Sequence, residues 1–195
     1  MSTRIVIPAR LSYAHIWEPK SIGDSDPKFS VSLIIPKSDT KTIEKIEKAI
    51  QEAITEGVAK KYEGKRPKDA ALKLPLRDGN LERDEDAAYQ DAMFLNASSK
   101  DQPGVVDRRL NTILDRDEVY SGCYCNVSVN FYAFNFQGKK GVAAGLGNIQ
   151  KVKDGEPLAG RTIMAADEFA DLGDGEDRGG FGATADDDDD DDLLG

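Results

Sequence analysis

Residues 119–152 hold a long alternating segment, a glycine turn and a second alternating segment, and no other part of the chain constrains the fold as strongly. In the first segment Cys123, Cys125, Val127, Val129, Phe131 and Ala133 share one parity, which makes a core face because successive strand side chains point to opposite sides. "NFQGKKG" supplies the hairpin turn, and "GVAAGLGNIQKV" returns, weakened by three glycines. Two further strands precede it. "RIVIPARLSYAHIWEP" alternates through Ile5, Ile7, Ala9 and Leu11, with Tyr13, His15 and Trp17 continuing the parity, and Pro8 marks an edge or a bulge because it cannot donate to a ladder. "KFSVSLIIP" directs Phe29, Val31, Leu33 and Ile35 inward and Lys28, Ser30 and Ser32 outward. "AMFLNASS" and "GVVD" read as short strands.

One helix stands out. Ile43, Ile46, Ala49, Ile50, Ala53 and Ile54 recur at helical spacing, with Ser38 or Asp39 as cap and Gly57 as the end. Residues 58–91 are polar, partly helical, and form a long excursion from the sheet, basic first and acidic later. Strands of uneven length, one helix between early strands and no βαβ alternation predict a mainly β protein with one or two helices, a small antiparallel barrel or sandwich.

Charge divides the chain. Residues 161–195 carry two basic and thirteen acidic groups, a net of −11, whereas residues 1–160 carry 24 basic and 23 acidic groups, a net of +1. We therefore expect a folded domain over 1–160 and a disordered acidic tail over 161–195. The tail ends in the run Asp186, Asp187, Asp188, Asp189, Asp190, Asp191 and Asp192, followed by Leu193 and Leu194. About 35 flexible residues reach roughly 30–35 Å, enough to return to a cleft in their own domain. The aspartates imitate a nucleic-acid backbone, and the leucines suit an apolar pocket on a partner protein. Plain solubilisation is the alternative use of such a tail.

The outward parity of the long strand carries Tyr124, Asn126, Ser128, Asn130, Tyr132, Phe134 and Phe136. Rings mixed with small amides and hydroxyls suit a ligand with flat apolar faces and polar edges, as single-stranded nucleic acid has, whose bases stack on aromatic rings for about 1–3 kcal/mol each. Trp17 joins this set, with Tyr13 and His15 beside it, and Lys28, Lys100, Arg108, Arg109, Lys139 and Lys140 are placed to neutralise phosphates. The same rings also suit packing under the excursion, a homodimer interface, or the interface of a virion or assembly module.

Other chemistries find little support. There is no P-loop, nucleophile elbow or metal-ligand cluster, and Asp115, Asp117 and Glu118 read as a solvated turn rather than a magnesium site. Neither enzyme activity, cofactor nor metal is expected. Cys123 and Cys125 lie two apart on one strand, with Cα atoms about 6.6 Å apart, poorly placed for a disulfide and read as buried thiols. No apolar run approaches the roughly 20 residues that span a bilayer, and the N-terminus lacks a signal-peptide layout, so the expected compartment is the cytoplasm.

The segments "YAHIWEP", "KFSVSLIIPKSD", "LPLRDG", "FLNASSK", "VYSGCY", "VSVNFYAFN", "GVAAGL" and "DGEPLAGR" resemble, in order over about residues 4–161, the single-stranded DNA-binding protein family of tailed bacteriophages and prophages. That resemblance implies an OB fold, a small Greek-key barrel holding a single strand across its face. It also implies a role in phage DNA replication, recombination or repair in the host bacterial cytoplasm, with the acidic tail organising protein partners. Many acidic-tailed single-strand binders end in an aromatic residue, whereas this chain ends in Leu193, Leu194 and Gly195.

Overall fold

The structure is a computed structural model that describes residues 3–158. The tail residues, Asp186 through Asp192 with Leu193 and Leu194, lie outside the described residues. In chain order the elements are β1 (Thr3–Lys20), β2 (Lys28–Pro36), α1 (Thr40–Lys60), β3 (Arg77–Asp78), α2 (Gly79–Glu82), β4 (Ala92–Ser99), β5 (Val105–Val106), β6 (Tyr124–Phe136) and β7 (Lys139–Lys153). β1 pairs with β2 and β6, β2 with β4, β6 with β7, and β4 with β7 in parallel. The strands thus close a five-membered barrel in the order β1–β2–β4–β7–β6, the Greek-key order of an OB fold.

The inward parity of β6 is as the sequence predicts: Cys123, Cys125, Val127, Val129 and Phe131 are buried with Ile7, Leu11, Val31, Leu33, Ile35 and Leu95, and Ala133 is partly buried against them. Each fully buried aliphatic or aromatic side chain of this kind contributes about 1.5–3 kcal/mol. The strand itself begins at Tyr124, because Gly122 turns the chain at φ 118. Gln137 and Gly138, both at positive φ, make the two-residue turn into β7. Pro8 is paired to Asn126 of β6, and pairing to β2 begins only at Arg10, so one flank of β1 needs no donor there. The cysteines are free and buried, with sulfurs 3.6 Å apart. Their mutual hydrogen bond lowers Cys123 to about 7 and pushes Cys125 up.

Helix α1 is capped by Asp39, whose carboxylate accepts from the Thr42 N–H, and it buries Ile46, Ala49, Ile50, Ala53 and Ile54 against the sheet. It runs three residues past the predicted end at Gly57. That glycine is required by contact rather than by a cap: a Cβ there would lie 2.5 Å from the Ala133 Cβ and 2.8 Å from the Tyr62 ring. Buried Tyr62 then ties the excursion back to the barrel, donating its hydroxyl to the Gly141 carbonyl at 2.5 Å.

The excursion is more ordered than its composition suggests. It contributes β3, α2 and a short turn at Ala87–Tyr89, and it buries Tyr89 and Phe94 edge to face, 5.1 Å apart, over Ile34 and Ala92. This second cluster covers the outer side of β2. Ser32, predicted to face solvent, is therefore buried, and it accepts the Tyr89 hydroxyl at 3.0 Å.

Candidate nucleic-acid interface

The barrel register places one lateral row of side chains right round the molecule. His15 pairs with Ser30, Ser30 with Ser98, Ser98 with Gly145, Gly145 with Asn130, and Asn130 with Arg4. The row leaves β1 at residue 15 and returns at residue 4, a stagger of 15 − 4 = 11 positions. Five lateral steps make a path of about 24 Å across the strands. Gly145 keeps it flat, since the Asn130 amide lies where a side chain would stand, 2.3 Å from the position of a Cβ. The row offers the Ser30 and Ser98 hydroxyls and the Asn130 amide, which lies over the buried Gly145.

Cations flank this path. Arg4 is exposed at one end. Beyond His15, Lys20 is opposite Lys28, and Lys100 follows Ser99, the partner of Phe29, so Lys20, Lys28 and Lys100 stand at the ends of three adjacent strands at one rim. All three are exposed, and none has an ion-pair partner among the described residues. Burial, and then the nearby Lys20, hold His15 below its ordinary value. Since the unfolded imidazole titrates near 6.5, the unfolded chain binds the proton more readily. Stability conferred by neutral His15 is therefore fully present above about pH 6.5 and declines as pH falls toward the folded value. Thermal melts between pH 5 and 8 should show this decline, and a His15→Gln variant should lose that part of it.

The outward rings of β6 fall into two groups. Asn130 lies on the row, and Tyr132, 44% exposed, is the next outward residue, opposite Ala143. Phe136, 67% exposed, faces Lys139 across the hairpin. Phe134 is half-buried against the Gly141 backbone. Tyr124 lies about 26 Å from Tyr132 along the strand, held between Arg10 at 5.6 Å and Lys153 at 4.7 Å. Between the groups Asn126 donates to Gln150 at 3.1 Å. The structure brings Asn130 and Tyr132 together with β7, β4, β2 and β1, and it does not bring Tyr124 to them.

Other predicted residues have different surroundings. Trp17 is half-buried against the core, and its indole N–H donates to the Val119 carbonyl at 3.1 Å. The parity of β1 changes before it: the interval from Ser12 to His15 on β1 faces that from Ser32 to Ser30 on β2, so an extra residue is accommodated and Ile16 enters the core. Lys140 is mostly covered and paired with Glu63 at 3.3 Å. Arg108 and Arg109 are exposed on a turn after β5, organised by the Asp107 carboxylate, which accepts from the N–H groups of Arg109 and Asn111 and from the Asn111 amide. These bonds, the Asn111 side chain first, hold Asp107 below the usual carboxylate range. Asp115 caps the backbone of Asp117 in a short turn, as a solvated turn requires. Parity taken strand by strand does not single out Lys20, Arg4, Ser98 or Gly145; the lysines flanking the β1–β2 loop and the polar parity of "NASS" are the signals the sequence offers for them.

A barrel of this topology, with a small polar row passing between its β1–β2 and β6–β7 hairpins, belongs to the class of OB-fold domains that bind oligomeric ligands across the sheet. The particular family is evident from comparison with known proteins. The chain belongs to the family described as Enterobacter phage Enc34, ssDNA-binding protein, which matches residues 3–181. It is 34% identical over 169 residues to putative protein p50 of Acyrthosiphon pisum secondary endosymbiont phage 1, covering 84% of this chain and 90% of that one. Among solved structures it is similar to the single-stranded DNA-binding protein from bacteriophage Enc34 in complex with ssDNA. That match has a TM-score of 0.70 and 22% identity, and covers 80% of this chain and 89% of the other. It is also similar to gp2.5, a single-stranded DNA binding protein encoded by bacteriophage T7, with TM-score 0.56 and 17% identity over 89% of this chain and 98% of that chain. The family is one of binding proteins rather than enzymes. No described helix is long and apolar enough to cross a membrane.

Proposed function

We propose that the protein binds single-stranded DNA without regard to sequence and serves phage DNA replication, recombination or repair in the host bacterial cytoplasm. The observation that carries this reading is the lateral row His15–Ser30–Ser98–Gly145–Asn130–Arg4, with Tyr132 beside it and free lysines at its rim. The backbone of the strand lies across the row, its phosphates meet Lys20, Lys28, Lys100 and Lys139, and its bases stack on exposed rings. The tail, Asp186 through Asp192 with Leu193 and Leu194, competes with DNA for this cationic surface and recruits replication and recombination proteins. Pairing of two copies through the exposed rings of β6 is a further use of that face.

The test is a titration with fluorescent oligo-dT and with duplex DNA of equal length at two salt concentrations. Tight binding of the single strand is expected, with a logarithmic salt slope of about −0.7 for each phosphate neutralised. An interaction or assembly module would give no shift at micromolar protein. Removing residues 162–195 should tighten binding at low salt, and equal affinities with and without the tail would reject the competition.

A further inference from the structure

The bulge in β1 exposes a tyrosine at some conformational cost. Tyr13 adopts φ 45, the left-handed region, which costs a non-glycine residue roughly 1–2 kcal/mol. Burial does not offset this, because the side chain is 51% exposed while its neighbour Ser12 is 4% exposed. The bulged backbone is otherwise satisfied, since Ala14 N–H donates to the Ser121 hydroxyl at 3.0 Å. Tyr13 lies just before His15, at the start of the lateral row.

A second element fixes the ring. The Arg83 guanidinium, from the excursion, lies 5.4 Å from the Tyr13 ring, 5.6 Å from Tyr89 and 5.7 Å from Phe94. Tyr89 and Phe94 are fully buried, so the cation is lodged between an immobile pair of rings and one exposed ring. Strain persists where the surroundings over-determine it, and such places are preferentially functional.

We propose that Tyr13 is a base-stacking platform at the His15 end of the row, and that Arg83 is its positioning residue. The part of the excursion that carries Arg83 and Tyr89 is then the buttress of a DNA contact rather than a decoration of the barrel. The cleft beside the ring, about 510 Å³, is also lined by Glu82, Asp84, Glu85 and Asp86. Those carboxylates repel phosphates, so the sugar–phosphate backbone stays on the Ser30 side and only a base reaches Tyr13.

This inference rests on the single-stranded DNA reading, and the experiment separates the two. Affinity for oligo-dT is measured at several salt concentrations for the unaltered protein and for Tyr13→Ala, Tyr13→Trp, Tyr13→Gly and Arg83→Gln, each with a thermal melt. Tyr13→Ala and Tyr13→Gly should bind about tenfold or more weakly with an unchanged salt slope, as loss of stacking without loss of a phosphate contact requires. Tyr13→Gly should melt no lower than the unaltered protein, because glycine relieves the strained conformation. Tyr13→Trp should restore binding and have its fluorescence quenched by the oligonucleotide. Arg83→Gln should weaken binding several-fold, and not further when combined with Tyr13→Ala. Wild-type affinity in Tyr13→Ala, or weakened binding that Tyr13→Trp does not restore, would overturn the platform. Absence of oligo-dT binding by the unaltered protein would overturn the functional reading itself, and the platform with it.

Discussion

Replacing Lys20, Lys28 and Lys100 together by glutamate lowers affinity for single-stranded DNA by about 100-fold or more at moderate salt, and reduces the magnitude of the logarithmic salt slope by about 2. The three lysines stand at the ends of adjacent strands at one rim, exposed and without carboxylate partners among the described residues. A polyanion crossing the row from Asn130 toward His15 must pass them. Each phosphate neutralised on a single strand releases about 0.7 counterion, so three lost contacts predict the change in slope directly. Reversal adds repulsion, which deepens the loss beyond simple neutralisation. Stability should change by no more than about 0.5 kcal/mol, as for surface substitutions in general. Lys41 and Lys48, exposed on α1, provide the control: their reversal leaves the near-neutral net charge of the domain altered similarly, per residue, but should move the slope little. A slope unchanged by the triple reversal would show that the DNA path lies elsewhere on the barrel.

The elements are readable wherever local pattern decides local structure. The inward parity of β6, the stripe of α1 and the two-residue turn at Gln137–Gly138 all follow from side chains within a few residues of one another. What the linear pattern does not contain is lateral register. His15, Ser98 and Arg4 become one row only because the barrel closes with a stagger, and no periodicity along any single strand reports that. Parity puts Tyr124 and Tyr132 on one face of β6, but only the register shows that Asn130, beside Tyr132, joins the row while Tyr124 sits between Arg10 and Lys153. Two further differences are tertiary in origin. Ser32 has an outward parity and is buried because Tyr89, 57 residues away, covers it. Trp17 changes face because a bulge, which has no simple sequence signature, adds one residue to β1 before it. Gly57 reads as a helix end on sequence grounds alone, and only the proximity of Ala133 reveals its use inside the helix.

Gly122→Ala is expected to cost about 3–5 kcal/mol of stability, read as a lowered urea midpoint with an unchanged slope. Two costs coincide there. The residue sits at φ 118, which disfavours any side chain, and a Cβ would lie 2.2 Å from the Glu156 carbonyl oxygen, a backbone atom that cannot swing aside. The seat is shared by three parts of the chain: Gly122 N–H donates to Leu11 O at 2.7 Å, its own carbonyl accepts Arg10 Nε at 3.0 Å, and Arg10 also donates to Glu156 O at 2.6 Å. Gly64→Ala separates the terms. Gly64 has φ 74 with nothing within 4 Å of where a methyl group would stand, so its loss reports conformational strain alone, about 1 kcal/mol. The excess at Gly122 then measures the collision with residues 156–157 together with the greater strain of φ 118, and through Arg10 it should also disturb the cation sandwich around Tyr124. If both variants lose the same small amount, the segment Asp154–Leu158 yields freely and does not brace the start of β6.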